Sequence, residues 1–369
     1  MIYLDHAATS WPKSPAVLAA VQRWFADVGV SEARGAGPRC RLAAHEVALA
    51  RADLGRLVDL PPERVAFVSG ATEGLNLVLR ALLRPGAHVL TTAFEHSSVV
   101  RPLRALQDER RLTIDILPPV RGGIDALAVD QALRRSRVDL FVFAHASNVT
   151  GACFDAALLC RLCRQAGVPT VLDASQTAGL IDLRVGADVV VASCHKALGS
   201  PPGLGFVATA LPLPPQKQGG TGHGRSLDRH PMEWPAAFEA GTPNTPAIFG
   251  LHAARGGRTP ADDERDLRHA LACIDELAAG LAAISSWRLL HHDAPFRVPI
   301  LSLAHDALDP AEVAGILADR GIHVRSGQHC APWLHEHLGT GAAGTLRLST
   351  GATTTAAEVD AALQVLRTL

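Results

Sequence analysis

Only three lysines occur in the 369 residues, Lys13, Lys196 and Lys217, and arginine carries almost all the remaining basic charge. The position of each lysine is therefore informative. Lys196 stands in SCHKALG, after the apolar run ADVVVAS (187–193) and before a loop rich in glycine and proline. One chemistry open to it is condensation with an aldehyde, because partial burial disfavours the ammonium, lowers its pKa and frees the amine. The plainer alternative is a lysine leaving the core toward solvent. Asp173 ends VLDAS, 23 residues earlier, a spacing that fits one strand–turn–strand passage. A carboxylate there could keep the ring nitrogen of a pyridinium cofactor protonated. Taken alone, it would read as the cap of the next helix.

Two further segments carry chemistry. SGATEGLN (69–76) places glycine, a hydroxyl and backbone N–H groups at a helix start, an arrangement that suits a phosphate. Thr72 as a plain N-cap is the alternative. The nucleoside-triphosphate loop G-x-x-x-x-G-K-[ST] is absent. RSGQHC (325–330) puts Arg325 and His329 near Cys330, and a nucleophilic thiol gains from nearby positive charge. A lone cysteine can equally be a small buried hydrophobe. The clustering of His329, Cys330, His335 and His337 matches no paired metal-ligand spacing, so no metal is expected. Cys160 and Cys163 lie in a helical pattern and suit core packing, and His291-His292 reads as loop surface.

The elements that must position these residues alternate. Strand candidates are RVAFVSG (64–70), HVLTTA (88–93), DLFVFAHAS (139–147), PTVLDAS (169–175), ADVVVAS (187–193) and GLGFVAT (203–209). Helical patterns follow at 73–83 and 99–109. This order implies an α/β domain with a mostly parallel sheet. Ligands bind beyond the carboxyl ends of such strands. The polar residues there are Ser69 to Glu73, Glu95 and His96, His145 to Asn148, Asp173 with Gln176, and Ser193 with His195 and Lys196. In a parallel sheet they converge on one crevice. After about residue 245 the texture changes. A helix over 262–284, strands over 297–303 and 345–350, and helices over 310–320 and 355–366 make a smaller α+β unit, onto which residues 1–12 are expected to cross back. The division expected is 13–250 for the large unit and 1–12 plus 251–369 for the small one.

The segments YLDHAATSWP, SGATEGLN, TTAFEHSSVVRPL, HASNVTG, LDASQTAG, SCHKALG, FEAGTPNTP, RSGQHCAP and GTLRLS occur in one order, nearly end to end. Together they resemble the cysteine desulfurases related to NifS and SufS, in the class V aminotransferase branch of the fold type I pyridoxal phosphate enzymes. The resemblance implies a mostly parallel, seven-stranded type of sheet in the large domain. It implies that Lys196 binds the cofactor aldehyde, Asp173 the pyridinium nitrogen and Gln176 the ring hydroxyl, with His96 stacked on the ring. It gives Ala71, Thr72, Ser193 and His195 the phosphate, with Thr242 of AGTPN reaching it from a second subunit of a homodimer. It assigns the substrate carboxylate to Asn148 and Arg347, with Arg325 close by, and makes Cys330 the nucleophile that takes sulfur from L-cysteine as a persulfide. Arg347 follows Cys330 by 17 residues, which favours the short-loop second group, whose members hand sulfur to a separate acceptor protein. Cys194 departs from the pattern, standing where relatives often carry glycine; it is either a packing substitution or an extra thiol near the cofactor.

Alternatives on the same scaffold are selenocysteine lyase, with L-selenocysteine as substrate, a cysteine or cystine C–S lyase, an epimerase or an aminotransferase. Cys330 favours persulfide chemistry over transamination, which needs no thiol. A non-catalytic partner in a sulfur-transfer complex is opposed by the joint presence of Lys196, Asp173, His96, Arg347 and Cys330. Thirty-five basic and 36 acidic residues give a net charge of −1. That balance excludes the clustered basic excess of a nucleic-acid groove or a membrane-attracted face. With 48% hydrophobic residues the chain is not disordered. No signal peptide is visible, and five prolines interrupt the longest uncharged stretch (197–216), so a cytoplasmic protein is expected. Seven scattered cysteines then suit reduced, mostly buried thiols.

Overall fold

The computed structural model describes residues 1–32, 35, 37–222, 228–291 and 294–369; His292 lies outside them. In chain order the strands are β1 (Ile2–Tyr3), β2 (Val65–Val68), β3 (His88–Thr92), β4 (Thr113–Leu117), β5 (Leu140–Ala144), β6 (Thr170–Asp173), β7 (Val189–Ser193), β8 (Gly205–Thr209), β9 (Trp287–Leu289), β10 (Ile300–His305), β11 (Ile322–His323), β12 (Arg325–Gly327) and β13 (Thr345–Ser349). The α-helices are α1 (Pro15–Arg23), α2 (Pro38–Val58), α3 (Ala71–Leu82), α4 (Ser97–Arg110), α5 (Ala126–Arg135), α6 (Ala156–Ala166), α7 (Thr245–Arg255), α8 (Pro260–Ala282), α9 (Pro310–Asp319), α10 (Pro332–Leu338) and α11 (Ala356–Leu366).

Seven strands form the large sheet in the order β2-β8-β7-β6-β5-β3-β4. All neighbours are parallel except β8, which runs antiparallel to both β2 and β7. Strands β5 and β6 are buried along their whole length. Helices cover both faces, which explains why these strands read as unbroken apolar runs. Phe141 and Phe143 lie wholly inside the core, and truncating such a phenylalanine costs about 3–5 kcal/mol. Two close approaches require glycine. A Cβ on Gly74 would stand 2.8 Å from Val191, so α3 can lie directly on the sheet. A Cβ on Gly205 would stand 2.6 Å from the backbone of Gly70, so β8 can pass under the start of α3.

A second core lies around α8, α9 and α11, with Leu4 from the N-terminal segment inside it. It packs on the antiparallel sheet β12-β13-β10-β9. Capping boxes start its helices: Thr259 with Asp262, Asp309 with Glu312, and Thr355 with Glu358. The N-terminal segment lies against this unit. Strand β1 pairs in parallel with β11, and Asp5 bridges to Ser349.

Some elements escape the sequence patterns. Strand β4 is an edge strand with partly exposed residues, so it lacks the apolar run of its neighbours. Strands β9, β11 and β12 have two or three residues each, too few for a pattern. All seven cysteines are free. Cys160, Cys163 and Cys194 belong to the large core, which settles Cys194 as a packing residue whose thiol pKa burial raises. No helix among the described residues is long and apolar enough to cross a membrane.

Candidate active site

Twelve of the thirteen candidate site residues line one cavity of about 430 Å³: Ala71, Thr72, His96, Asn148, Asp173, Gln176, Ser193, His195, Lys196, Arg325, Cys330 and Arg347. That volume lies within the range of small-molecule sites, ~300–1,000 Å³. Thr242 is exposed and lies on a separate hollow, with Ser69, Glu73 and Lys217. Three polar residues of the expected crevice, Glu95, His145 and Ser147, are buried away from this cavity. His145 bonds Thr177 through Nδ1, and Glu95 accepts from Thr92 Oγ1 and Ala144 N.

The large sheet supplies the floor. Asp173, at the end of β6, is 6% exposed, and its Oδ1 accepts from the backbone N–H and the hydroxyl of Ser175 at 3.0 and 2.6 Å. At the end of β7, Ser193 Oγ accepts from Ala71 N at 3.0 Å, joining that strand to the start of α3, whose N-cap residue, Gly70, has no side chain to cap the helix. Burial lowers the Lys196 pKa to about 8, against the opposing pull of the Asp173 carboxylate. His96 is the N-cap of α4, its Nδ1 accepting from Ser98 N. Burial holds its pKa at about 4, so the ring is neutral. His195 is held at about 4 in the same way, and its Nδ1 is buried with no protein partner.

The small sheet and the loop after it supply the opposite wall. Arg347, in β13, is 2% exposed. Its Nη2 donates to Asp5 Oδ1 at 2.7 Å and its Nη1 to the Asn148 carbonyl at 3.0 Å, while its Nε is buried without a partner. The second oxygen of Asp5 accepts from Arg325 Nε at 3.1 Å. Asn148 does not stand free. Its Nδ2 donates to the His329 carbonyl at 2.5 Å. His329 and Cys330 both take left-handed backbone (φ 48° and 58°), which is strained for side chains other than glycine and asparagine. The Cys330 carbonyl accepts from Ser97 N at 2.6 Å and Ser97 Oγ at 3.0 Å. The Cys330 side is exposed, which excludes the buried-hydrophobe alternative.

One expectation is corrected. His329 supplies no positive charge to Cys330, because it is buried against Thr345 and its pKa falls far below the ordinary value. Three residues escaped sequence reasoning. Asp5 and Ser97 stood in recognised segments and Lys13 just after one, but nothing local signals a partner 182 to 342 positions away. Among the described residues, no group of three or more His, Cys, Asp or Glu could hold a metal ion.

Comparison with known proteins places this geometry in context. The aminotransferase class-V family model matches residues 2–362. A probable cysteine desulfurase of Vibrio cholerae is 28% identical over 98% of this chain and 91% of its own. One of Methanothermobacter thermautotrophicus is 30% identical over 94% of this chain and 89% of its own. Among solved structures, the apo cysteine desulfurase of Thermococcus onnurineus superposes with a TM-score of 0.91 at 26% identity, covering 100% of this chain and 94% of that one. The cysteine desulfurase CsdA of Escherichia coli, in its S-sulfonic acid form, superposes with a TM-score of 0.86 at 25% identity, covering 99% and 94%. The chain therefore belongs to the aminotransferase class-V family, enzymes that work with pyridoxal phosphate.

Proposed function

We propose that this enzyme is an L-cysteine desulfurase of the short-loop group, turning L-cysteine into L-alanine and taking the sulfur onto Cys330 as a persulfide. The observation that carries this reading is an exposed thiol on the same cavity as a lysine of lowered pKa and an arginine with an unpaired buried N–H.

The residues fit pyridoxal phosphate. His195 Nδ1 is a buried polar atom without a protein partner, and the uncapped start of α3 offers backbone donors beside it on the cavity. Lys196 would bond the aldehyde carbon, Asp173 would face the ring nitrogen, Gln176 the ring hydroxyl, and the neutral His96 ring the cofactor's face. Ala71, Thr72, Ser193 and His195 would hold the phosphate, with the exposed Thr242 contributed by the second subunit of a homodimer. When bound, the cofactor supplies an electron sink for the charge left on the substrate α-carbon.

The chain's own residues do the rest. Arg347 binds the substrate carboxylate through its free Nε–H, with Asn148 and Arg325 beside it, a charge-assisted contact of about 1.5–3 kcal/mol. Lys196 Nζ, with a pKa of about 8, is neutral in an appreciable fraction near neutral pH and can move the proton at the substrate α-carbon. The Cys330 thiolate forms an S–S bond to the substrate sulfur as the substrate's Cβ–S bond breaks. The electron pair of the broken bond stays with the carbon skeleton, which is protonated and leaves as alanine. One cysteine and one enzyme thiol enter; one alanine and one enzyme persulfide result. The exposed position of Cys330 suits the next transfer, to a separate acceptor protein that serves iron–sulfur assembly or another thiolation, in the cytoplasm. We read residues 13–250 as the cofactor domain, and 1–12 plus 251–369 as the domain carrying Cys330 and Arg347.

Incubation with L-cysteine and a reductant, assayed for alanine and sulfide, tests the reading. Cys330→Ala should lower alanine formation by about 10²–10³-fold while keeping the yellow absorbance of the lysine-bound cofactor. Wild-type alanine formation by Cys330→Ala would overturn the persulfide step. A parallel assay with L-selenocysteine separates the selenocysteine lyase alternative, and a keto acid or racemised product marks the other class V reactions.

A further inference from the structure

The carbonyl oxygen of His195 collects four donors from one short stretch of chain. They are Lys13 Nζ at 2.7 Å, Thr9 Oγ1 at 3.0 Å, Ser10 N at 3.1 Å and Ser10 Oγ at 3.2 Å. Lys13 Nζ also donates to Ser10 Oγ at 2.8 Å. A carbonyl offers two lone pairs, so four donors cannot all bond at full strength. Lys13 makes the shortest of these contacts and brings the only charge, and charge-assisted bonds are roughly twice as strong as neutral ones.

This oxygen belongs to the peptide unit that joins His195 to Lys196. The unit is planar, so holding its oxygen fixes the direction in which the chain enters the Lys196 Cα. On the other side of Lys196, its own carbonyl accepts from Gly199 N at 2.9 Å. The lysine side chain is long and flexible, and where its amine can reach depends on where its root is held.

The same stretch is fastened to the opposite wall of the cavity. Ala7 N donates to Ser349 Oγ at 2.9 Å, and Asp5 takes the Arg347 guanidinium at 2.7 Å; Ser349 and Arg347 both belong to β13. Residues 5–13 thus tie the root of Lys196 to the strand that carries Arg347. Of the three lysines, Lys217 is paired with Glu73 at 2.7 Å, and the cavity chemistry leaves Lys13 without a part.

We infer that Lys13 is a positioning residue which, with Thr9 and Ser10, clamps the His195 carbonyl and sets Lys196 in register with Arg347. Lys13 acts in this way only if Lys196 is the cofactor lysine, as proposed above. The variant Lys13→Met keeps the aliphatic stem and removes the donor. In the full-length protein, apo Lys13→Met mixed with pyridoxal phosphate should regain the lysine-bound absorbance about tenfold more slowly than wild type. The holoenzyme's kcat should fall by a similar factor, with KM for L-cysteine within about twofold, because Arg347 is untouched. Lys13→Arg should restore most of both losses. Wild-type rates in Lys13→Met, or a lowered melting temperature with an unchanged rate per cofactor-loaded site, would overturn the clamp. Should Lys13→Met fail to fold, Lys13→Gln keeps a neutral donor; a loss of about two- to fivefold supports the clamp and no loss overturns it. Lys196→Ala is the control. Absorbance forming equally in that variant would overturn the cofactor reading itself, and the clamp with it.

Discussion

Asp173 and Ser193 end strands that are paired on both sides within the large sheet, and Lys196 follows three residues later. Cys330 and Arg325 stand instead on a three-residue strand and the turn after it, where the backbone is left-handed at two successive residues. The floor of the cavity is held by its own core. The wall is held by bonds reaching across the cavity, from Asn148 to the His329 carbonyl and from Ser97 to the Cys330 carbonyl. The difference suits the two tasks. A cofactor lysine gains from a fixed root, whereas a thiol that must first meet substrate and then an acceptor gains from a loop with few local constraints.

The largest effect should come from the floor. Lys196→Ala should abolish the yellow absorbance and lower alanine formation by at least ~10³-fold. Cys330→Ala should keep the absorbance and lose only turnover. A Lys196→Ala protein that stays yellow, or a Cys330→Ala protein that turns colourless, would break the division between floor and wall.

A smaller effect, of a different kind, should come from the arginine of the wall. Removing its charge-assisted contact with Arg347→Gln should raise KM for L-cysteine by about 10–100-fold and leave the lysine-bound absorbance in place. Titration of the absorbance change with L-cysteine would show this directly. An unchanged KM would mean that Asp5, which already occupies Arg347 Nη2, keeps the guanidinium from the substrate.

The floor was legible in the sequence and the wall only in part, and the reason is physical. Asp173, Ser193 and Lys196 each follow an apolar run, because a strand buried on both faces must be apolar until it leaves the core. Arg347 shares that signal, since β13 is buried along its length. Cys330 does not: β12 is too short to show a period, so RSGQHC left a nucleophile and a buried thiol both open, and the likeness of RSGQHCAP to known sequences favoured the nucleophile. Asp5 and Lys13 were visible as residue types but not as partners, because each acts at a distance of 180 or more positions. His329 was misread as a cation, since burial against Thr345 cannot be seen in the string RSGQHC.

The smallest effect tests the floor through a group that never touches the cavity. Glu95 is fully buried; its Oε1 accepts two hydrogen bonds and its Oε2 has no partner. Burial first, and then the Asp173 carboxylate, raise its pKa from 4.5 to about 8. The folded protein therefore keeps the Glu95 proton where the unfolded chain has released it. That contribution to stability is complete below pH 4.5 and is lost as pH rises toward 8. Glu95→Gln does not titrate, so its stability relative to wild type should improve across that window by roughly 1–3 kcal/mol. Urea unfolding of both apo-proteins at about pH 5 and about pH 8.5 measures the change, since the mutation's fixed cost cancels between the two conditions. A difference that stays constant with pH would show that Glu95 is ionised in the fold and that the floor of the cavity is wetter than its packing indicates.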